Sequence, residues 1–235
     1  MFQQFRCIAI ICSLIVFTKP AMSASSEHIQ LVESALERFS QTNKQHWSYT
    51  IHSIEIEEGD KTEIQAKHQP NNNPYQRWQL LQLNGQQPSP KQIKEFAQKR
   101  ENKGFSISIR ELVRTHTLTL VQETSDSITF SYPVELADLG KDAIGKLTGH
   151  IKIDKSNQHI KQVSVHNTAS FSPVALADIS DFNLSMQFIT VNDAVLVHQT
   201  KMDMRGTFSF FIDIEETSTV TFDNYQYQPQ SLNRK

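Results

Sequence analysis

The chain has 235 residues, 20% charged residues and a formal net charge of −2. This mild acidity argues against a nucleic-acid partner, which usually requires a clustered basic face. Both cysteines, Cys7 and Cys12, lie close to the N-terminus. The rest of the chain therefore forms no disulfide, thiolate metal site or thiol nucleophile, although it is long enough to bury the core of one domain.

The N-terminus has the layout of a secretory signal peptide. Arg6 precedes an apolar run over residues 7–17, and small residues follow up to Ala24. This order of a basic region, a short apolar region and a small-residue cleavage site is typical of an exported protein. A membrane anchor is the alternative, but the run is shorter than the roughly 20 apolar residues of a span. The sequence therefore predicts a cleaved leader, residues 1–24, and a periplasmic protein.

The first predicted element after the leader is an amphipathic helix over residues 28–42. Its apolar residues recur mostly at spacings of three and four, which predicts packing of one face against another element: Ile29, Val32, Ala35, Leu36 and Phe39. The period then changes to two, so that Trp47, Tyr49 and Ile51 alternate with polar residues. A strand is predicted there, with a hairpin partner beyond the turn at Gly59-Asp60.

The next predicted unit is a strand followed by a second helix. Trp78 and Leu80 lie in the strand, and Asn84-Gly85 after it is a strong signal for a tight turn. Pro90 suits the first turn of a helix over residues 90–100. We expect Trp78 to face the inside of the sheet. We expect the helix, whose narrow apolar face carries Ile93 and Phe96, to return over it as a lid.

Beyond residue 112 the pattern is almost entirely that of strands. Hairpins are predicted at Ser125-Asp126 and at residues 154–157, and later strands alternate clearly. The predicted fold is mainly β with α: a single curved antiparallel sheet forms an incomplete, half-open barrel, and two or three helices fill its concave side. One domain is predicted over residues 25–226, with a flexible tail over 227–235.

No catalytic, metal or cofactor site emerges from the motifs. Residues 140–147 match a phosphate loop except that Leu147 stands where Ser or Thr should bind magnesium, and a strand pattern follows them. The nine histidines lack metal-binding spacings, and no serine lies on a glycine-flanked nucleophile elbow. The acidic residues 55–60 lack the spacing of a calcium loop. The sequence therefore predicts a protein that is not an enzyme.

The apolar side chains of the sheet allow two interpretations. They form an ordinary filled core, or they line a cavity whose Phe and Met side chains adapt to lipid chains. The candidate lining consists of Trp47, Tyr49, Trp78, Leu80, Phe130, Phe182, Met186, Phe188, Met202, Met204, Phe208 and Phe210, with Ile93 and Phe96 on the lid helix.

Several segments resemble the LolA/LolB-like class of periplasmic carriers, close to an uncharacterised proteobacterial branch. They are "RWQLLQLNGQQPSPKQIKEF", "GKLTGHIKID" and "FNLSMQF" with the ending "HQTKMDMRGTFSFFIDIEETSTVTFDNYQ". The resemblance implies an incomplete antiparallel barrel around an apolar cavity that is closed by helices. The lipoprotein carriers have a characteristic arginine, for which Arg77, Arg110, Arg114 and Arg205 are the candidates here, but none is matched residue by residue. Cargo and partner therefore do not follow from the fold.

The leading functional expectation is a monomeric, non-enzymatic carrier or sensor for a lipid, acyl chain or lipoprotein. An inner- or outer-membrane transport protein is the partner that the resemblance implies. One alternative is a protein-binding module of envelope assembly or stress, with a filled core and an exposed apolar patch. A hydrolase whose site residues are dispersed in the sequence is the second alternative.

Overall fold

The computed structural model describes residues 22–42, 44–71, 73, 76–102, 109–209 and 211–229. The predicted signal peptide lies outside these residues except for its last three. Within the described ranges, no helix has both the length and the hydropathy needed to cross a membrane.

A single antiparallel sheet dominates the molecule. Ten strands form it together with a two-residue strand at one edge, as predicted for a mainly β protein. The strands are β1 Met22–Ser23, β2 Trp47–Glu57, β3 Asp60–His68, β4 Trp78–Leu83, β5 Thr119–Glu123, β6 Ser127–Val134, β7 Leu147–Asp154, β8 Ile160–Asn167, β9 Ala177–Val191, β10 Ala194–Phe208 and β11 Ile212–Tyr227.

The strand order leaves the sheet open. It runs β1-β5-β6-β7-β8-β9-β10-β11-β2-β3-β4, so β1 and β4 are the two edges. The consecutive hairpins from β5 to β11 follow from local turns. The pairing of β11 with β2 joins residues far apart in the sequence, such as Phe222 with Ile51. This one pairing joins the N-terminal β2–β4 meander to the rest of the sheet, which is consistent with a curved, half-open barrel.

The helices pack on different parts of the sheet and differ in how deeply they are buried. The structure has two helices longer than one turn, α1 (Ser26–Gln41) and α2 (Pro90–Asn102), and a single turn, α3 (Ile109–Leu112). Ser25 caps α1, because its side chain accepts a hydrogen bond from the backbone N–H of His28. The prediction of two or three helices filling the concave side is therefore only partly correct. α1 and α3 enter the core, whereas residues 90–100 of α2 stay exposed or half-buried beside β4.

The core lies between α1 and the central strands. Val32, Ala35, Leu36 and Phe39 of α1 are buried, at the spacing that the sequence predicted. They meet aliphatic side chains on one face of the sheet, including Ile151, Ile153, Val163 and Val165. Burial of each such side chain stabilises the fold by about 1.5–3 kcal/mol before entropic costs.

One glycine shows how closely this core is packed. Gly149 of β7 pairs with Tyr132 of β6. A Cβ atom at Gly149 would overlap the Tyr132 ring and also crowd Val134. The aromatic ring therefore lies flat over a position where only hydrogen fits.

The last two strands differ from the prediction. Apolar residues alternate with other residues from Met202 to residue 214, which predicts one continuous strand. In the structure, β10 ends at Phe208 and a turn follows. Ser209 adopts φ 51, in the left-handed region that reverses the chain. β11 then continues to Tyr227, inside the predicted tail, and the backbone N–H of Gln228 donates to the carbonyl of His46 at 2.7 Å. Residues 230–235 of that tail lie outside the described residues.

Candidate functional site

One face of the sheet carries almost all of the predicted lining, and the register shows why. Phe130 pairs with Ile151, Ile151 with Val163, Val163 with Met186 and Met186 with Thr200. Paired residues point to the same face of a sheet. The same line continues through Val220, Ser53 and Ile64, so this concave face runs from β5 to β4.

The predicted residues separate into two groups on this face. Phe130, Phe182, Met186 and Phe188 belong to the core beneath α1, and Phe130 has no exposed surface. Trp47, Tyr49, Trp78 and Leu80 lie at the other end, on β2 and β4. The structure therefore does not bring all of the candidate lining into one place.

The remaining predicted residues lie between or beyond these groups. Met202 and Met204 of β10 are half-buried and pack against the edge of the core. Phe208 is 39% exposed at the end of β10. Phe210 lies outside the described residues.

The second half of the concave face carries a continuous series of aromatic rings, which we call the aromatic row. Neighbouring ring centroids lie between 4.7 and 6.3 Å apart, within the range of favourable ring contacts. The row consists of Tyr227, Trp47, Tyr225, Tyr49, Phe222, His68, Trp78 and Phe96.

Strand pairing positions the centre of the row. Tyr49, His68 and Trp78 are directly opposite one another across β2, β3 and β4. The Tyr49 and His68 rings stack at 4.7 Å, and His68 meets Trp78 at 5.0 Å with the rings inclined by 62°. All three side chains are half-buried, unlike the core residues on the same face.

His68 is held neutral in this position. Burial lowers its pKa below the ordinary value, and the positive charge of Arg77 lowers it further, although a hydrogen bond opposes the shift. That bond joins His68 Nδ1 to the carbonyl oxygen of Trp47 at 3.1 Å, and the carbonyl requires Nδ1 to be the donor. The imidazole therefore contributes a largely apolar, uncharged surface to the aromatic row.

Two tyrosines of the row, Tyr49 and Tyr225, are also kept uncharged. Burial raises the pKa of Tyr49 to about 12, with a small opposing effect from Arg100. Burial likewise raises the pKa of Tyr225, whose hydroxyl donates to the carbonyl of Val197 at 2.6 Å. At neutral pH, the Tyr49 and Tyr225 rings thus carry no negative charge.

A small hollow lies beside the row. It measures about 90 Å³, and its lining is mostly apolar: Lys44, Trp47, Tyr49, Leu196, Val197, Phe222 and Tyr225. That volume holds about three water-sized groups. It is therefore too small for an acyl chain, but large enough for the end of one.

The helix α2 covers the other end of the row. Asn84 and Gly85 adopt φ 51 and φ 73, the left-handed pair that a tight hairpin turn requires. The chain then leads into α2, whose Phe96 meets the Trp78 ring edge-on at 6.3 Å. Trp78 lies on the same face of the sheet as the core residues, next to α2. Ile93 of the same helix is more exposed, at 38%.

Two cations flank the row. The Arg100 guanidinium lies 5.4 Å from the centroids of both Trp78 and Phe96, and Lys44 Nζ lies 3.8 Å from the centroid of Phe39. Burial lowers the pKa of Lys44. Among the described residues, neither cation has a carboxylate within ion-pair distance.

A separate cluster of exposed apolar side chains lies at the β10–β11 turn, and we call it the apolar end. Phe211 is 92% exposed, and the Ser209 backbone N–H donates to the carbonyl of Leu176 at 2.8 Å, which joins the turn to the segment before β9. The cluster consists of Val174, Leu176, Phe208, Phe211 and Ile212.

The phosphate-loop-like segment and the acidic segment form turns and strand ends in the structure. Residues 140–147 form a single helical turn, a tight turn and the start of β7, where Lys146 pairs with Asp142 at 2.9 Å. The acidic residues 55–60 form the tip of the β2–β3 hairpin. Across the described ranges, no group of three His, Cys, Asp or Glu side chains is placed to hold a metal ion.

The sequence interpretation missed several members of the row. The predicted lining did not include His68, Phe222, Tyr225 or Tyr227 of the row, or the neighbouring Arg100. His68 and Phe222 nevertheless lie at alternate positions with the apolar residues of their strands. Tyr225 could not be found by alternation, because an irregularity between Asp223 and Gln226 interrupts the register with β2. Arg100 required knowledge of how α2 docks.

Comparison with known proteins gives little further guidance. No family model and no curated protein matches the chain. Among solved structures, the chain is similar to a DUF1329 family protein from Desulfovibrio piger ATCC 29098, with a TM-score of 0.34 and 7% identity over 86% of this chain and 93% of that one. A likeness at this level identifies neither the fold family nor the function.

Proposed function

We propose that this protein is an exported, monomeric, non-enzymatic carrier or sensor that binds an acyl chain along the aromatic row. The site comprises the concave face of β2, β3, β4 and β11 together with the apolar side of α2. The resemblance of several sequence segments to the LolA/LolB-like carriers agrees with this proposal. The cargo would be a lipid, a fatty acid or the acyl part of a lipoprotein.

One observation carries the proposal: Tyr49, His68 and Trp78 contact neighbouring rings but stay half-buried, whereas the central strands of the same face are buried beneath α1. Apolar surface that remains accessible within a concave sheet is typical of a ligand site. Burying about six methylenes there would contribute about 5 kcal/mol before ordering costs.

The uncharged state of the row also supports an acyl ligand. Neutral His68 and protonated Tyr49 require no counter-ion when water leaves the site. A charged group at either position would have to be desolvated by the incoming chain, at a cost that apolar contacts would not recover.

The proposal is tested by fluorescence, because the protein has two tryptophans, Trp47 and Trp78. In the Trp47→Phe variant, the emission reports Trp78 alone. We expect saturable blue-shifting of that emission when sodium decanoate or 1-decanol is added below its aggregation limit. Native mass spectrometry of protein purified gently from its natural host should also show a bound acyl compound. No response to either compound, together with a ligand-free mass, would refute the proposal.

The apolar end favours a second candidate function, that of a protein-binding envelope module. Its exposed apolar side chains lie on two segments that a backbone hydrogen bond joins, and an exposed apolar patch marks many interaction sites. Acidic residues lie on the adjoining strands. The pKa of Glu216 is raised by burial and by the negative charges of Glu57 and Glu58. A partner segment that carries apolar residues flanked by Lys or Arg would fit this surface.

A photo-crosslinking amino acid at position 211 tests the second candidate in cells. We expect one discrete protein adduct that is lost when Phe208 is changed to Ser. The same probe at position 121 is the control, because Val121 is also exposed, at 53%, but lies on β5. Equal labelling from both positions would contradict a specific partner at the apolar end.

A further inference from the structure

The aromatic row has a cation at the end that α2 covers. Arg100 lies over Trp78 and Phe96 at the same distance from both, and its charge acts on Tyr49. The guanidinium is thus close to the site and not directed away into solvent. It is half-buried, whereas its neighbour Lys99 is exposed.

No described carboxylate compensates this charge. The ion pairs of the described residues include Lys91 with Glu95 on the same helix, and Arg110 and Arg114 on neighbouring segments, but none includes Arg100. A guanidinium donates five N–H groups in a planar fork that suits a carboxylate or a phosphate. The guanidinium lies 5.4 Å from the centroids of both rings, and no described carboxylate pairs with its N–H groups.

We propose that Arg100 recognises the anionic head of the bound amphiphile, so that the ligand is an acyl chain that ends in a carboxylate or phosphate. This inference rests on the proposed function and specifies its ligand class. The chain would lie along Trp78, His68 and Tyr49, and its far end would point toward the 90 Å³ hollow beside Trp47. The head would remain near solvent at α2.

The opposite orientation is less favourable. Lys44 at the hollow is the other cation near the row, but its ammonium lies 3.8 Å from the centroid of the Phe39 ring, and burial lowers its pKa. A head group placed there would be desolvated within a small hollow. At Arg100, the head keeps its contact with water and gains a charge-assisted hydrogen bond.

The test compares ligands that differ only in the head group. Sodium decanoate, decyl phosphate and 1-decanol are titrated into the protein, with the tryptophan emission as readout. We expect the two anionic ligands to bind about tenfold more tightly than 1-decanol, the low end for a charge-assisted bond at a partly exposed site. The Arg100→Gln variant should lose that preference, so that decanoate and decyl phosphate bind no more tightly to it than 1-decanol does.

Lys99→Gln is the matched control, because it removes the same charge from the adjacent position of α2. It should leave the preference for anionic heads intact. If Lys99→Gln and Arg100→Gln reduce decanoate binding equally, general electrostatics and not recognition by Arg100 explains the preference. If 1-decanol and decanoate bind equally to the unchanged protein, the inference fails although the acyl-binding proposal stands. If neither binds, the proposed function itself fails.

Discussion

Removal of the Phe96 ring tests whether α2 is held on the sheet through the aromatic row. Phe96 is half-buried and meets Trp78 edge-on, and α2 packs mainly against the edge strand β4. A Phe96→Ala change removes about half of the burial energy of a large apolar side chain, roughly 1 kcal/mol. It also removes an aromatic pair, which contributes about 0.5–1.5 kcal/mol. The expected loss is therefore about 2 kcal/mol.

This loss of free energy should weaken the docking of α2 on the sheet and leave the global free energy of unfolding nearly unchanged. A helix of 13 residues is marginal in water without tertiary contacts. The core under α1 does not include Phe96. Opening of α2 should therefore become about 30-fold more frequent, whereas the urea midpoint of the core should change little.

Native-state amide hydrogen exchange measures this directly. We expect faster exchange in residues 93–102 of Phe96→Ala, with unchanged exchange in β7 and β8. Ile93→Ala is the control, since Ile93 lies on the same helix but is more exposed and has no ring contact. Unchanged α2 exchange in Phe96→Ala, or a comparable fall of the global urea midpoint, would show that Phe96 does not hold α2 on the sheet.

Three further predictions concern stability. Gly149→Ala should lower the free energy of unfolding by about 1–3 kcal/mol in urea titrations, because its methyl group would overlap the Tyr132 ring; an unchanged midpoint would contradict the packing. Burial lowers the pKa of His68, so the unfolded chain binds the proton at higher pH than the folded chain, and this contribution to the free energy of unfolding is lost as pH falls below about 6.5. An NMR titration should give a pKa below that value, and His68→Gln should reduce the change of the urea midpoint between pH 7.5 and 5.5. Asp154 has its pKa lowered by the hydrogen bonds from Lys161 and Ser156, so its contribution is present above about pH 4 and lost in more acidic solution; Asp154→Asn should weaken the fall in stability between pH 5 and 3, and an identical acid profile would disprove the contribution.

Local patterns were sufficient to predict much of the fold. The apolar spacing of α1, the Asn84-Gly85 turn and the alternation in β9 each depend on a few neighbouring residues, and each appears in the structure. Such features are set by backbone sterics and by which face must be buried. A single open antiparallel sheet follows from their sum.

Long-range pairing was beyond what these patterns contain. Alternation shows that Tyr49 and Phe222 each lie on the apolar face of a strand, but not that β2 and β11 are neighbours. The turn at Ser209 was missed for another reason. Serine rarely adopts positive φ, so no glycine or asparagine marked the position where β10 ends.

The candidate site was predicted only in part, because the alternating inward-facing positions of this sheet include both core residues and residues of the aromatic row. β-Branched residues such as Ile151, Val163 and Val165 dominate where α1 covers the face, and they have no polar atom that needs water. Tyr, His and Trp replace them on β2, β3 and β4, where each ring carries a polar atom at its edge.

This difference in chemistry gives the clearest separation of core from site. The hydroxyl of the half-buried Tyr225 donates to the carbonyl of Val197, and a half-buried ring can also keep its polar edge in water. Aromatic residues with polar atoms therefore suit a surface that is exposed to water when the site is empty and covered when a ligand binds. Aliphatic residues suit it less well, because they have no polar atom that can hydrogen-bond to water. On a concave sheet, aliphatic side chains along one face indicate the core of the protein. A change to amphipathic aromatic side chains along the same face indicates the region where a ligand would bind.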